Sequence, residues 1–349
     1  MRGGGMIPTT MTAAWWLAAD TVEVTQVPVP EVPEGWALVR IAYDGVCGTD
    51  LSILHGMHPR AAAPLILGHE MSGWVETAGS TGPPAGTLVV VEPLISCGEC
   101  KACRDGLTHV CNRLGLYGID APGAMAQLVA LPPEVLHAVP DGVDPRTATL
   151  AEPLAVAVHA VDLSGMQAGD TVAVYGAGPI GVLTALVARH AGAAHVVVTE
   201  PSAWRREVAA GLGFTVVAPD STMAGTLAPL TGGEGADTTF DSAAHPTVAA
   251  ELASTTRVRG RIVIVGVYKQ PTPIDLQAIC FKEQSVVGVR VYTSADVTRA
   301  IELIADGLLE GFPTRAFALD DVAAAFDAAA SGQDCLKVLV TPLPGKADS

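Results

Sequence analysis

Basic side chains are scarce in this 349-residue chain: Lys and Arg total 20 against 36 Asp and Glu, a formal net charge of −16. A surface of that sign repels polyanions, which excludes nucleic acid as the expected partner. Long apolar runs are also missing. None reaches the roughly 18 residues that span a bilayer, and the start MRGGGMIPTT lacks the apolar core of a signal peptide. The expectation is a soluble cytoplasmic protein with no membrane partner. Cysteines number only seven, and Cys97, Cys100, Cys103 and Cys111 crowd into one short stretch. That distribution argues against a disulfide framework and for metal ligands in a reducing compartment. Cys280 and Cys335 are left over and are expected to be buried free thiols.

What is present is 49% hydrophobic content, in a chain long enough for two packed domains. Residues 1 to 10 are Gly-rich and unpatterned and read as a loose tail, with a first strand beginning at Met11 in MTAAWWLA. Short β-rich runs such as ALVRIAY, separated by PVPEVPEG, predict twisted antiparallel sheet in a β-barrel-like first domain. Near residue 170 the pattern becomes apolar strands alternating with Ala-rich helical stretches, which signals a parallel sheet. TVAVY, HVVVTE, TVV, DTTFD, RIVIVG and SVVGV supply six strands for a doubly wound dinucleotide-binding fold. The fold class is thus α/β. The catalytic domain is expected over 1–162, the cofactor domain over 163–296, and 297–349, ending in the strand LKVLV, returns to the first domain.

The strand TVAVY runs into Gly176-Ala177-Gly178-Pro179-Ile180-Gly181 and then an apolar helix, the context that a dinucleotide fingerprint requires. Gly176 permits the tight turn, Gly178 lets the backbone approach a pyrophosphate, and Gly181 allows close helix–strand packing. The second strand ends at Glu200, where a carboxylate can accept hydrogen bonds from the adenosine ribose. Arg205 and Arg206 could contact a 2′-phosphate, but a carboxylate at the same edge would repel it. NAD is therefore favoured over NADP.

Cys97, Cys100, Cys103 and Cys111 form C-x2-C-x2-C-x7-C. Four thiolates close a tetrahedral shell and leave no position for substrate, so this zinc is expected to be structural. Upstream, Cys47-Gly48-Thr49-Asp50 and Gly68-His69-Glu70 offer a thiolate, an imidazole and a carboxylate, which suit an open, catalytic zinc. A second carboxylate waits at Glu152 in AEPLAVAVHA. Phe240-Asp241 and Val265-Gly266-Val267 end strands where backbone would face a nicotinamide, with simple sheet packing as the alternative.

Through CGTD, GHEMSGWVETAG, the cysteine lobe, AEPL and VAVYGAGPIG, residues 11 to 343 resemble the zinc-containing medium-chain alcohol dehydrogenases, most of all their sorbitol, 2,3-butanediol and threonine dehydrogenase branch. The resemblance implies a β-rich GroES-like catalytic domain beside a Rossmann domain, two zinc ions per chain, and a homodimer or homotetramer. It also implies a catalytic zinc on Cys47 and His69, with Glu70 or Glu152 as third ligand, and Thr49 as the first proton-relay hydroxyl. Ser52 stands where many relatives carry the next relay histidine, so bulk water, His55 or His58 would take over. After Gly79 the usual small apolar residue is Gly82, and STGPPAG reads as a tightened turn. Arg290 and Tyr292 correspond to a segment near the substrate mouth. The implied reaction is hydride transfer from a secondary alcohol, in a polyol, vicinal diol or amino alcohol, to NAD. Two rivals stand beside it: an NADPH-dependent ketone reductase, and a zinc-stabilised binding or sensor protein without turnover.

Overall fold

The computed structural model describes residues 8–218 and 220–348, so the first seven positions of the expected N-terminal tail lie outside the described residues. The chain divides into two compact units, one of Met1–Glu152 with Pro313–Ser349 and one of Pro153–Phe312.

The first unit is built mainly on antiparallel sheet, as the alternating β-rich runs predict, with one parallel pair between Thr314–Ala318 and Lys337–Thr341. Its largest sheet runs in the order Leu136–Ala138, Leu88–Val91, Glu70–Thr77, Ala37–Gly45, Lys337–Thr341, Thr314–Ala318, with Leu128–Leu131 also pairing Ala37–Gly45. Ala37–Gly45 lies at its centre and is buried along almost its whole length, which suits a run of Ala, Leu, Val and Ile. Two registers decide what the site contains. Gly45 pairs with Glu70, and the returning strand places Leu339 against Gly45. A residue two positions before Leu339 is thereby brought beside Glu70.

The second unit is a six-stranded sheet, parallel at every pairing, in the order Thr215–Val216, His195–Thr199, Thr171–Tyr175, Ala236–Asp241, Thr256–Ile264, Ser285–Gly288. All six expected strands are present. Its core stacks Ala173, Tyr175, Val197, Leu252 and Ile262.

Three sequence expectations are corrected. The divisions fall after Glu152 and Phe312, not after residues 162 and 296. Helix Ala151–Ser164 reaches helix Ser294–Ala305 through an ion pair, His159 Nδ1 to Asp296 Oδ2 at 2.9 Å, with both side chains buried. Cys280, expected to be buried, is exposed, whereas Cys335 is buried. Tyr292, expected at a substrate mouth, has no exposed surface and is the largest fully buried side chain among the described residues. Arg290 is exposed. Among the described residues no helix is long and apolar enough to cross a membrane.

Candidate active site

Helix Gly48–Leu54 begins at Cys47, whose backbone N–H donates to Asp50 Oδ2 at 2.8 Å while its side chain takes part in a capping box. The cap holds the thiol at the head of the helix, with Thr49 Oγ1 3.9 Å from Cys47 Sγ. Asp50 then turns inward: Oδ1 lies 3.5 Å from His69 Nδ1, and both side chains are buried. A carboxylate behind a histidine fixes which ring nitrogen faces a metal. Burial works against protonating His69, but Asp50 and Cys47 outweigh it and raise its pKa well above the usual value. Cys47, His69 and Glu70 converge so that their ligand atoms all lie within 4.8 Å of one another. Glu152, in the first turn of helix Ala151–Ser164, is buried but is not one of that cluster.

The sequence reading missed Lys337. Its ammonium pairs with the carboxylate of Glu70, both side chains almost wholly buried. Burial opposes a charged lysine, yet Glu70 and Cys47 hold its pKa above the ordinary value. The signal was a lysine inside LKVLV, since a charge in a strand buried along its whole length must have a partner. Of the two candidate relay histidines, His55 is half-exposed and tied to Asp20 by Nδ1 at 2.6 Å. His58 Nδ1 instead accepts the Arg60 and Ala61 backbone N–H groups at 3.4 and 3.3 Å. Burial, followed by Arg60, lowers its pKa, and it senses the charges of His69 and Asp50.

The four-cysteine lobe gathers as the spacing predicts. Sγ–Sγ separations are 3.5 Å for Cys100–Cys103 and 3.9 Å for Cys97–Cys103 and Cys100–Cys111. Tetrahedral Zn–S bonds of about 2.3 Å put sulfurs about 3.8 Å apart, so the cage fits zinc. Backbone N–H groups of Cys97 and Arg113 donate to Cys111 Sγ at 3.3 Å, and that of Cys100 to Cys97 Sγ at 3.4 Å. Such donors favour thiolates. The backbone bond from Cys100 pulls Cys97 down to about 6, while burial and the neighbouring sulfurs push Cys103 up to about 11. Four thiolates gathered this closely repel one another, and a bound cation would relieve that repulsion.

In the second unit, Gly176 takes φ +96°, a conformation that favours glycine, and a Cβ on Gly181 would overlap the Gly176 carbonyl. Helix Pro179–His190 starts from Gly178 with Pro179 at its first position, and neither Pro179 nor Ile180 is among the residues lining the neighbouring cavity. Glu200 is more engaged than its sequence position suggests. Oε2 accepts the Ala177 N–H at 2.8 Å and Oε1 the Ser202 N–H at 3.0 Å, so the carboxylate braces the glycine turn. Gly176, Gly178, Glu200, Arg205 and Ser242 line one cavity of about 890 Å³. Arg205 Nε is buried there without a partner, while Arg206 caps the strand end through the Glu200 and Pro201 carbonyls at 2.9 and 2.7 Å. Val265 and Val267 are not among the residues lining that cavity. The Val265 N–H bonds to Asp241 O at 3.0 Å, and Val267 is 85% exposed.

An open thiolate–imidazole–carboxylate cluster, a closed four-thiolate cage and a phosphate-binding glycine turn together define a metal-assisted oxidoreductase using a dinucleotide. Comparison with known proteins agrees. Residues 33–141 match the alcohol dehydrogenase GroES-like domain and residues 179–306 the zinc-binding dehydrogenase domain. The chain is 39% identical over 336 residues to a 2-dehydro-3-deoxy-L-galactonate 5-dehydrogenase of Pseudoalteromonas atlantica, covering 95% of this chain and 98% of that one. It superposes on the 2R,3R-butanediol dehydrogenase of Bacillus subtilis with TM-score 0.88 at 29% identity, over 95% of this chain and 100% of the other. A zinc-binding dehydrogenase structure from Sinorhizobium meliloti, bound to NADP, gives TM-score 0.87 at 31% identity, over 96% of this chain and 100% of that one. The chain belongs to the zinc-binding alcohol dehydrogenase family and is an NAD(P)-dependent alcohol oxidoreductase.

Proposed function

We propose that this enzyme oxidises a secondary hydroxyl flanked by a further polar group, in a polyol, vicinal diol, polyhydroxy acid or amino alcohol, with NAD as hydride acceptor. The convergence of Cys47, His69 and Glu70 carries the reading, and the substrates named for the two relatives above support its class. A zinc ion bound by these three supplies Lewis acidity that lowers the pKa of a hydroxyl beside it. Glu152 is the alternative third ligand. Thr49 receives the hydroxyl proton and passes it on, and Asp50 keeps His69 in orientation. A second zinc belongs to the four-cysteine lobe and acts structurally. Cys97, Cys100, Cys103 and Cys111 as free thiols suit a reducing compartment, which favours the cytoplasm.

The preference for NAD rests on Glu200. A buried carboxylate at the nucleotide cavity repels a 2′-phosphate, and each oxygen that accepts one backbone N–H retains a lone pair for a ribose hydroxyl. An NADPH-linked ketone reductase is the second reading, supported by the partnerless Arg205 Nε and by the NADP of the Sinorhizobium neighbour.

The oligomer proposed is a homodimer joined through the second unit. Strand Ser285–Gly288 ends its sheet, and Phe281, Leu276 and Val286 are exposed around it. An open strand edge beside apolar surface is covered when a second copy adds its own edge.

Initial rates with a panel of polyols, diols, polyhydroxy acids and amino alcohols, each with NAD and with NADP, test the reading. Turnover on at least one vicinally substituted secondary alcohol with NAD preferred is expected. Turnover with NADP alone overturns the cofactor assignment, and activity confined to primary alcohols overturns the substrate class.

A further inference from the structure

One polar atom in the nucleotide cavity has no task in the fold. Ser242 Oγ is buried and has no hydrogen-bond partner in the chain, although the Ser242 backbone N–H donates to Tyr175 O at 3.0 Å. A hydroxyl left so destabilises a fold and persists where a ligand completes it. Ser242 lines the same cavity as Gly176, Gly178 and Glu200.

The turn carrying Ser242 is held on both sides. Asp241, fully buried, accepts the Ala243 and Ala244 N–H groups on Oδ1 at 3.0 and 2.9 Å. Tyr268 Oη donates to Asp241 Oδ2 at 2.6 Å and lies 3.3 Å from His245 O. A Cβ on Gly266 would come within 2.9 Å of Ala244 Cβ, so the neighbouring strand end is pressed against the same turn. An aspartate and a tyrosine thus fix the backbone on which an unsatisfied hydroxyl is presented.

The sheet order says which part of the ligand that hydroxyl meets. Glu200 ends one strand, Gly176 follows the next, and Ser242 follows Ala236–Asp241 on the far side of that one. In a parallel sheet of this kind the dinucleotide lies across the carboxyl ends of the strands, with its pyrophosphate at the glycine turn. With adenosine at Glu200, the opposite half reaches Ser242.

We propose that Ser242 Oγ hydrogen-bonds the nicotinamide-side ribose or its phosphate, with Asp241 and Tyr268 as positioning residues. The inference rests on the dinucleotide reading above and adds a contact that the glycine fingerprint does not contain.

Ser242→Ala tests it by equilibrium titration with NADH, ADP-ribose and AMP, together with thermal unfolding of the ligand-free protein. The hydroxyl has no partner in the fold, so the ligand-free melting temperature should stay or rise slightly. Loss of one hydrogen bond should weaken NADH and ADP-ribose about three- to tenfold and leave AMP unchanged. Tyr268→Phe should also weaken NADH, and that effect should shrink in the Ser242→Ala background, because it acts through Ser242. Unchanged NADH and ADP-ribose binding by Ser242→Ala overturns the assignment, as does equal weakening of AMP. Wild-type protein that binds no nicotinamide dinucleotide overturns the functional reading as well.

Discussion

The Lys337–Glu70 pair offers a sharp test of whether Glu70 belongs to a metal site. The two side chains are 4% and 2% exposed, so their attraction is little screened by water and needs no discount for exposure. Both side chains lie against Gly45, where an added Cβ would come 2.9 Å from Lys337 Cε and would strike the Glu70 carboxylate. Lys337→Met keeps the chain length and removes the charge. In zinc-free protein Glu70 is then left buried without its counter-charge, and breaking a buried pair from one side costs about 3–5 kcal/mol. For a unit of this size each kcal/mol moves the melting temperature by roughly 2–4 °C, so a fall of about 6–20 °C is expected.

In zinc-saturated protein a cation beside Glu70 replaces part of the lost attraction, and the fall should be less than half as large. The assay is calorimetric unfolding of wild type and variant, each stripped with a chelator and each reloaded. Equal destabilisation in the two states would refute Glu70 as a zinc ligand and move the third position to Glu152. No destabilisation of the stripped protein would show that the pair contributes nothing to the fold.

Three further outcomes are expected. Elemental analysis of fully loaded protein should give about two zinc ions per chain, Cys47→Ser and Cys103→Ser should each give about one, and only Cys103→Ser should lower the melting temperature substantially. Glu200→Gln keeps the shape but removes the charge facing the ribose; the preference of kcat/KM for NAD over NADP should fall about tenfold, and an unchanged ratio would refute its discriminating role. Burial alone would raise Asp296, but hydrogen bonds from His159 and Thr293 hold its pKa below the ordinary carboxylate value. Its stabilisation is therefore present above the unfolded value of about 4 and is lost as pH falls through the folded one. The melting temperature should drop on acidification below about pH 4 less steeply in Asp296→Asn than in wild type.

Much of this site was legible in sequence because its signals are local. A strand, a glycine turn and a helix are contiguous from Thr171 to His190, and their chemistry follows from spacing alone. The cysteine lobe closes within one loop, and the six parallel strands announce themselves by length and apolar content. What was not legible depends on partners far apart in the chain. Lys337 meets Glu70 across 267 positions, through a register that no local pattern encodes. Tyr292 was placed at a substrate mouth by family resemblance of its segment, yet its side chain is fully buried. The pairing of His159 with Asp296, 137 positions apart, joins two helices in a way no local pattern encodes. Glu200 was placed correctly at the strand end, but its bond to Ala177 depends on where the glycine turn sits in three dimensions.

The buried charges around Cys47 also argue for a cation on grounds independent of motif. Asp44, Asp50 and Glu70 are three acidic side chains with almost no exposure, and the Cys47 thiol stands among them. Facing them are Lys337 and His69. Burial, followed by Asp50, drives the Asp44 pKa well above the usual carboxylate range, and neither Asp44 oxygen has a hydrogen-bond partner. His69 is drawn toward its protonated form despite burial. The Asp44 shift owes most to burial and next to Asp50, whereas the His69 shift comes from the negative groups around it and runs against burial. A structural ion-pair network would be balanced by its own lysines and arginines, as Arg146 balances Asp348 at 2.7 Å elsewhere in this unit. Here the chain supplies one buried lysine, which pairs with Glu70, so a divalent cation held by Cys47, His69 and Glu70 would offset buried negative charge that the lysine leaves over.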